Sequence, residues 1–84
     1  MATHVSRFET PEEVVSEIVA GTAVAIGQPV DALSPLENHV DTSTVRRLAA
    51  AGTNENVRSG HLRFDYDGVA VTVQADGRLE FGTE

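Results

Sequence analysis

Apolar and polar residues alternate with period two through the last quarter of the chain, which reads H-L-R-F-D-Y, D-G, V-A-V-T-V-Q, A-D-G, R-L-E-F from His61 to Phe81. Such alternation is the signature of half-buried strands, because successive side chains point to opposite faces. Leu62, Phe64 and Tyr66 share one face of the first strand, and His61, Arg63 and Asp65 share the other. Asp67-Gly68 is the preferred pair for a two-residue type I′ hairpin turn, since both positions need positive φ. That turn sets Tyr66 against Val69, Phe64 against Val71 and Leu62 against Val73, apolar on apolar throughout. A two-residue loop at Asp76-Gly77 would set Val73 against Glu80 and bury a carboxylate. A three-residue loop, Ala75-Asp76-Gly77, ending in a glycine bulge restores Val73 to Leu79 and Val71 to Phe81. The buried face is then Leu62, Phe64, Tyr66, Val69, Val71, Val73, Leu79 and Phe81. The polar face aligns His61, Gln74 and Arg78 in one row and Arg63, Thr72 and Glu80 in the next, with Asp65 beyond.

Upstream, the period changes to that of a helix. Thr10-Pro11-Glu12-Glu13 is a helix start, with Thr10 as cap, Pro11 at the first helical position and Glu13 closing a capping box. Val14, Val15, Ile18, Val19, Thr22, Ala23 and Ile26 follow on one broad stripe. Glu13, Glu17 and Gly21 lie off it, and Gly27, Gln28 and Pro29 end the helix. Gly21 either allows close packing or weakens the last turn. Residues 28–41 form an irregular connector in which two prolines forbid a long helix. Ser34-Pro35-Leu36-Glu37 starts one short turn there, and Val30, Leu33, Leu36 and Val40 fill gaps between helix and sheet. Asp41 caps a second helix over about 42–51, with Val45 and Leu48 inward and Gly52 as its terminating glycine. Residues 53–60 are a polar loop. Helix, connector, short helix and three strands predict an α+β two-layer domain over residues 10–82, with both helices on a three-stranded antiparallel meander and residues 1–9 as a flexible N-terminus.

Composition narrows the function classes. The chain has 84 residues, no cysteine and a net charge of −7 from thirteen acids against six basic side chains, every one of them arginine. Without cysteine there is no disulfide framework or thiolate metal site. No apolar run approaches the ~18 residues of a membrane span, and the N-terminal stretch lacks the charged-then-apolar order of a signal peptide. A cytoplasmic location is the expectation. The acids are dispersed rather than gathered in a tail, and lysine is absent. A GC-rich genome would favour arginine codons, but dispersed carboxylates without lysine also fit a protein that works in molar salt, where charge is screened to about 3 Å. The negative balance argues against non-specific binding to nucleic acid or acidic membranes.

Candidate chemistry is sparse. His39 and Asp41 sit two apart and His61 could join them, but no recognised ligand spacing appears. The serines lack a nucleophile-elbow pattern, and the glycines fall at turns and helix ends rather than in a phosphate-binding loop. No catalytic, cofactor-binding or metal-binding residue is therefore expected. Arg46 and Arg47 on the second helix read as an ordinary solvated face. The polar sheet face, His61, Arg63, Thr72, Gln74, Arg78 and Glu80, has two readings: a solvated surface with Arg63 and Glu80 paired across the central strand, or a docking face.

The helix start P-E-E-V-V-S-E-I-V, the connector L-S-P-L-E-N-H-V-D and the terminal G-H-L-R-F-D-Y-D-G-V-A-V-T-V-Q-A-D-G-R-L-E-F, in that order, resemble the halobacterial output domain family over about residues 8–82. The chain departs from that pattern at Glu37 and Ala49, where the family often has aromatic residues. The resemblance implies a role in signal transduction through protein contacts and supplies no catalytic residues. A non-enzymatic signalling or regulatory protein-interaction module of a halophilic archaeon is the expectation. The alternative is an accessory nucleic-acid-binding or transcription-related module using Arg63, Arg78 and His61. A protein partner is expected, with self-association through the free edges of strands 61–66 and 78–81 as a further route. Repulsion among the acids predicts a fold that weakens at low salt. Thermal melts in about 0.1 M and about 2 M KCl check this, with the lower melting temperature expected at the lower salt.

Overall fold

Both turns of the C-terminal meander close as their residues dictate. Asp67 at φ 49° and Gly68 at φ 86° supply the paired positive φ of a type I′ turn, and Gly77 takes φ 103° in the second loop. The computed structural model describes residues 4–51 and 60–82. In chain order these hold strand β1 (His4–Arg7), a 3-10 turn (Pro11–Glu13), helix α1 (Val14–Ile26) and 3-10 turns at Val30–Ala32 and Leu36–Asn38. Helix α2 (Thr42–Ala51) and strands β2 (His61–Tyr66), β3 (Val69–Gln74) and β4 (Arg78–Gly82) follow. Gly52 and the expected loop at 53–60 lie outside the described residues, apart from Gly60.

The register of the meander is the expected one: Tyr66↔Val69, Phe64↔Val71 and Leu62↔Val73 between β2 and β3, then Val73↔Leu79 and Val71↔Phe81 between β3 and β4. The sheet has four strands, however, not three, in the order β1-β4-β3-β2. The fourth comes from the stretch expected to be a flexible lead-in. β1 runs antiparallel to β4, with His4↔Phe81 and Ser6↔Leu79, and the Phe8 N–H continues the ladder to the Gly77 carbonyl at 3.0 Å. Its alternation is masked because its helix-side residues are polar. His4 lies against the Phe81 ring at 5.6 Å between centroids, and the Ser6 hydroxyl donates to the Glu17 carboxylate of α1 at 2.9 Å. β4 therefore has no free edge, contrary to the expectation for 78–81; the edges are β1 and β2.

α1 crosses the apolar face of the sheet. Val14 and Ile18 are fully buried, against Val69, Val71, Val73, Leu79 and Phe81, which are buried completely as well. Gly21, expected off the buried stripe, faces the sheet instead. A Cβ built on it would lie 2.2 Å from Phe81 Cζ, so the missing side chain is what lets the helix rest on the aromatic ring. α1 ends as a Schellman motif: Gly27 is left-handed at φ 69°, and the Gln28 N–H reaches back to the Ala23 carbonyl at 3.0 Å. Its start differs from the capping box. The Thr10 side chain makes no capping bond, and the Glu13 carboxylate accepts from the Glu9 N–H at 3.4 Å, because Pro11–Glu13 winds as a 3-10 turn before the α-helix begins.

α2 is capped as expected, the Asp41 carboxylate accepting the Ser43 N–H at 2.9 Å. It buries Val45 and Ala49 and half-buries Leu48. In the connector Leu36 is buried and Leu33 and Val40 are half-buried, but Val30 is 50% exposed and fills no gap. The result is an α+β domain with both helices on one face of an antiparallel sheet. Among the described residues no helix is long and apolar enough to cross a membrane.

Gly21→Ala is expected to lower stability. The substitution gains about 1 kcal/mol of helix propensity, but overpacking typically costs about 1–3 kcal/mol, and the buried Phe81 ring has little room to yield. Denaturant melts of Gly21→Ala, Phe81→Leu and the double variant check this, the double being less destabilised than the sum of the singles because the smaller side chain clears the new methyl.

Candidate functional site

The period-two alternation that buries Leu62, Phe64 and Tyr66 turns every second side chain of the sheet away from the helices. His61, Arg63 and Arg78 are exposed there, and Thr72, Gln74 and Glu80 are half-buried among their neighbours. All six residues singled out on the polar face thus share one surface, on which no helix packs among the described residues. Arg63, Thr72, Glu80 and Val5 form one cross-strand row, and His61 pairs with Gln74. The expected Gln74–Arg78 pairing does not form. The β3–β4 ladder stops at Val73↔Leu79, so Arg78 finds its neighbour on the other side, in Arg7 of β1.

β1 therefore widens this face. Arg7 is exposed beside Arg78, two like charges directly opposite each other, and Val5 is 51% exposed. Arg63 and Glu80 do not pair. The Glu80 carboxylate accepts instead from the Gln74 amide at 3.4 Å. Among the described residues Arg7, Arg63 and Arg78 have no carboxylate within 4 Å; the single such contact of a basic side chain is that of His39 Nε2 with Asp67 Oδ1. In a chain of net charge −7, one sheet face thus holds, among the described residues, three arginines without a carboxylate partner, beside Asp65 and Glu80 on the same face. The contribution of β1 was not legible from the sequence; the only signal was the exposed pair Val5 and Arg7 at i, i+2.

A second cluster, absent from the sequence reading, joins the connector to the β2–β3 turn. The Ser34 N–H donates to Asp67 Oδ2 at 2.8 Å and the Ser34 hydroxyl to Asp67 Oδ1 at 2.5 Å. The Ser34 hydroxyl also lies 2.8 Å from His39 Nε2, and that nitrogen is 3.4 Å from Asp67 Oδ1. Serine, histidine and aspartate are the components of a nucleophilic triad, but the order is wrong for one. In a triad the histidine stands between serine and carboxylate and uses a different nitrogen for each. Here the serine hydroxyl donates its hydrogen bond directly to the carboxylate, and one histidine nitrogen meets both groups. The cluster is a clamp rather than an activated hydroxyl. Tyr66 completes it: its hydroxyl donates to the Ser34 carbonyl at 2.7 Å, and its buried ring lies 5.1 Å from that of His39.

The clamp shifts two ionisations. The Ser34 hydroxyl and then the Ser34 N–H, both donated to the Asp67 carboxylate, hold its pKa below the usual range, with His39 adding to the effect. Burial, and then the Asp67 charge, push the Tyr66 phenol up. The histidines do not converge. His39 belongs to the clamp on the helix side, His61 lies on the open face and His4 against Phe81. Among the described residues no three of the His, Asp and Glu side chains are grouped to hold a metal ion. Shallow hollows flank α2. One is lined by Pro11, Glu12, Ser43 and Arg46, and another by Glu37, Val40, Asp41 and Thr42.

Fold and surface together describe a small α+β domain with one sheet face packed and the other, among the described residues, open. The family model described as halobacterial output domain 1 matches residues 10–82, and the chain belongs to that family. The family name fits a signalling or output role in haloarchaea. β1, at 4–7, precedes the matched span. No curated protein and no solved structure matches the chain.

Tyr66→Phe is expected to cost about 1 kcal/mol at neutral pH through loss of the bond to Ser34. It should also flatten the alkaline limb of stability, since a raised phenol pKa stabilises the fold below about pH 10 and that stability is lost as pH rises through the raised value. The lowered Asp67 pKa works at the other end, stabilising the fold above about pH 4 and losing that contribution as pH falls through the lowered value. Asp67→Asn keeps a residue that tolerates left-handed backbone while removing this acid dependence. Denaturant melts of both variants across pH are the measurement.

Proposed function

We propose that this domain is a non-enzymatic signalling or regulatory module of a halophilic archaeon, acting in the cytoplasm, that binds another protein through the open face of its sheet. The residues assigned to the contact are His61, Arg63, Thr72, Gln74, Arg78 and Glu80, joined by Arg7. Membership of an output-domain family supports the signalling half of this reading. The observation that carries the surface assignment is the gathering, on a face outside the helix layer, of arginines with no carboxylate partner among the described residues.

Charge selects the kind of partner. Arg7 and Arg78 sit side by side without a counter-ion among the described residues, an arrangement that repels by itself and is relieved by an incoming carboxylate. Guanidinium groups engage carboxylates through two parallel hydrogen bonds, which gives orientation as well as attraction. The partner is therefore an acidic protein surface. Such surfaces are abundant where proteins carry dispersed carboxylates, so specificity rests on the polar rows between the arginines, Thr72, Gln74 and Glu80.

Affinity capture in about 2 M KCl tests this with three forms of the chain: wild type, Arg63→Glu/Arg78→Glu, and Arg46→Glu/Arg47→Glu as a control on the exposed side of α2. The expected result is a partner retained by wild type and control and weakened at least about tenfold by the sheet-face variant, with all three folded by circular dichroism. A partner held equally by all three forms, or none specific to the wild type, contradicts the proposal. Retention of DNA or RNA in a shift assay at high potassium would favour a nucleic-acid-binding module instead.

A further inference from the structure

Among the described residues β2 is the longer free edge of the sheet, and its backbone phase is set by its neighbours. The two-residue turn makes Tyr66 and Val69 a hydrogen-bonded pair, and the Ala75 N–H reaches the Gly60 carbonyl at 2.8 Å, in phase with it. Leu62, Phe64 and Tyr66 thus spend their backbone groups on β3. His61, Arg63 and Asp65 turn theirs outward along the open edge. The strand has six residues and neither proline nor bulge, two of the usual devices that keep such an edge from pairing.

The packing also runs out at this border. Val71 and Val73 are fully buried in the middle of the sheet, whereas their cross-strand partners Phe64 and Leu62 are only half-buried. An apolar rim is left beside the open edge.

The side chains of β2 then complement themselves. Laid antiparallel on a second copy with Phe64 opposite Phe64, Arg63 faces Asp65 and Asp65 faces Arg63, while Leu62 meets Tyr66 on the other face. In this register the outward backbone groups of Arg63 and Asp65 become hydrogen-bonded pairs, and each pair carries opposite charges. The adjacent in-phase registers set Arg63 against Arg63, or Asp65 against Asp65. β1 offers nothing comparable, since its outward residues are Val5 and Arg7.

We infer that β2 pairs with β2 of a second copy about a two-fold axis through Phe64, joining two four-stranded sheets into one of eight strands. The axis stands perpendicular to the sheet, so both helix layers fall on one side and both open faces on the other. The arginine-bearing face is thereby doubled into one continuous surface, whatever that surface binds. Each copy carries a charge of −7, so pairing strengthens as salt screens their repulsion.

Sedimentation velocity on the full chain without partner, in about 2 M KCl and from about 10 μM to about 1 mM, tests the assignment. Wild type is expected to dimerise. Arg63→Asp and Asp65→Arg each set like charges opposite one another twice and should weaken dimerisation at least about tenfold, whereas the double exchange Arg63→Asp/Asp65→Arg restores it. Circular dichroism establishes that each variant is folded. Phe64→Cys introduces the sole thiol in a chain without cysteine; across the non-hydrogen-bonded centre, where Cα atoms lie about 4.5 Å apart, it should oxidise to a covalent dimer. A wild type that stays monomeric throughout, a dimer indifferent to Arg63→Asp, a double exchange that fails to restore pairing, or a folded Phe64→Cys that never crosslinks overturns the inference.

Discussion

The contact between Gly21 and Phe81 sets the distance between the two layers, and most of the fold follows from it. α1 has few charges and could bury almost any side, so hydrophobicity alone does not choose its rotation on the sheet. The aromatic ring does. A residue with a side chain at position 21 would hold the helix off the sheet and open space around Val71, Val73 and Leu79, whose complete burial depends on close approach. With the ring seated under Gly21, Val14 and Ile18 are delivered onto the same apolar face, and Thr22 and Ala23 are buried beside them. In a domain this small the core is modest, so a misfit of one methyl group consumes a large share of the net stability.

The clamp between connector and hairpin solves a different problem. Residues 28–41 have little regular structure, and an irregular segment needs specific tethers to be held in place. Asp67 supplies one from the tip of the β2–β3 turn. Its position there is required by turn geometry, its carboxylate reaches both the N–H and the hydroxyl of Ser34, and the adjacent Tyr66 binds the carbonyl of the same serine. One residue of the connector is thus held through its donor, its acceptor and its side chain, which fixes the chain just before Leu36 enters the core.

Charge is distributed by face. Many of the described acids lie in turns and helix starts, with Glu17 inside α1 and Asp65 and Glu80 on strands; their repulsion costs little at high salt and their hydration keeps the surface wet. The open sheet face adds Arg7, Arg63 and Arg78 beside its own carboxylates, Asp65 and Glu80. A sheet packed on one side leaves the other free to carry whatever residues an interaction requires, because changes there do not disturb the core.

The meander, its register, its two faces and the polar residues of the open face were all legible in the amino-acid order, because turn residues and period-two alternation act over neighbouring positions and agree with each other. The second helix and its Asp41 cap were legible for the same reason. What only the tertiary structure decided are contacts between residues far apart in sequence. β1 gains its place by pairing with β4 more than seventy residues away, and with polar His4 and Ser6 toward the helices it carries no apolar alternation of its own. Gly21 reads locally as a weak point in a helix and becomes a packing contact only when Phe81 lies beneath it. Ser34, His39, Tyr66 and Asp67 are unremarkable in sequence, two in a connector and two at a hairpin, until folding brings that connector across the turn. Local pattern specified which elements form; the closing of long loops specified which of them meet.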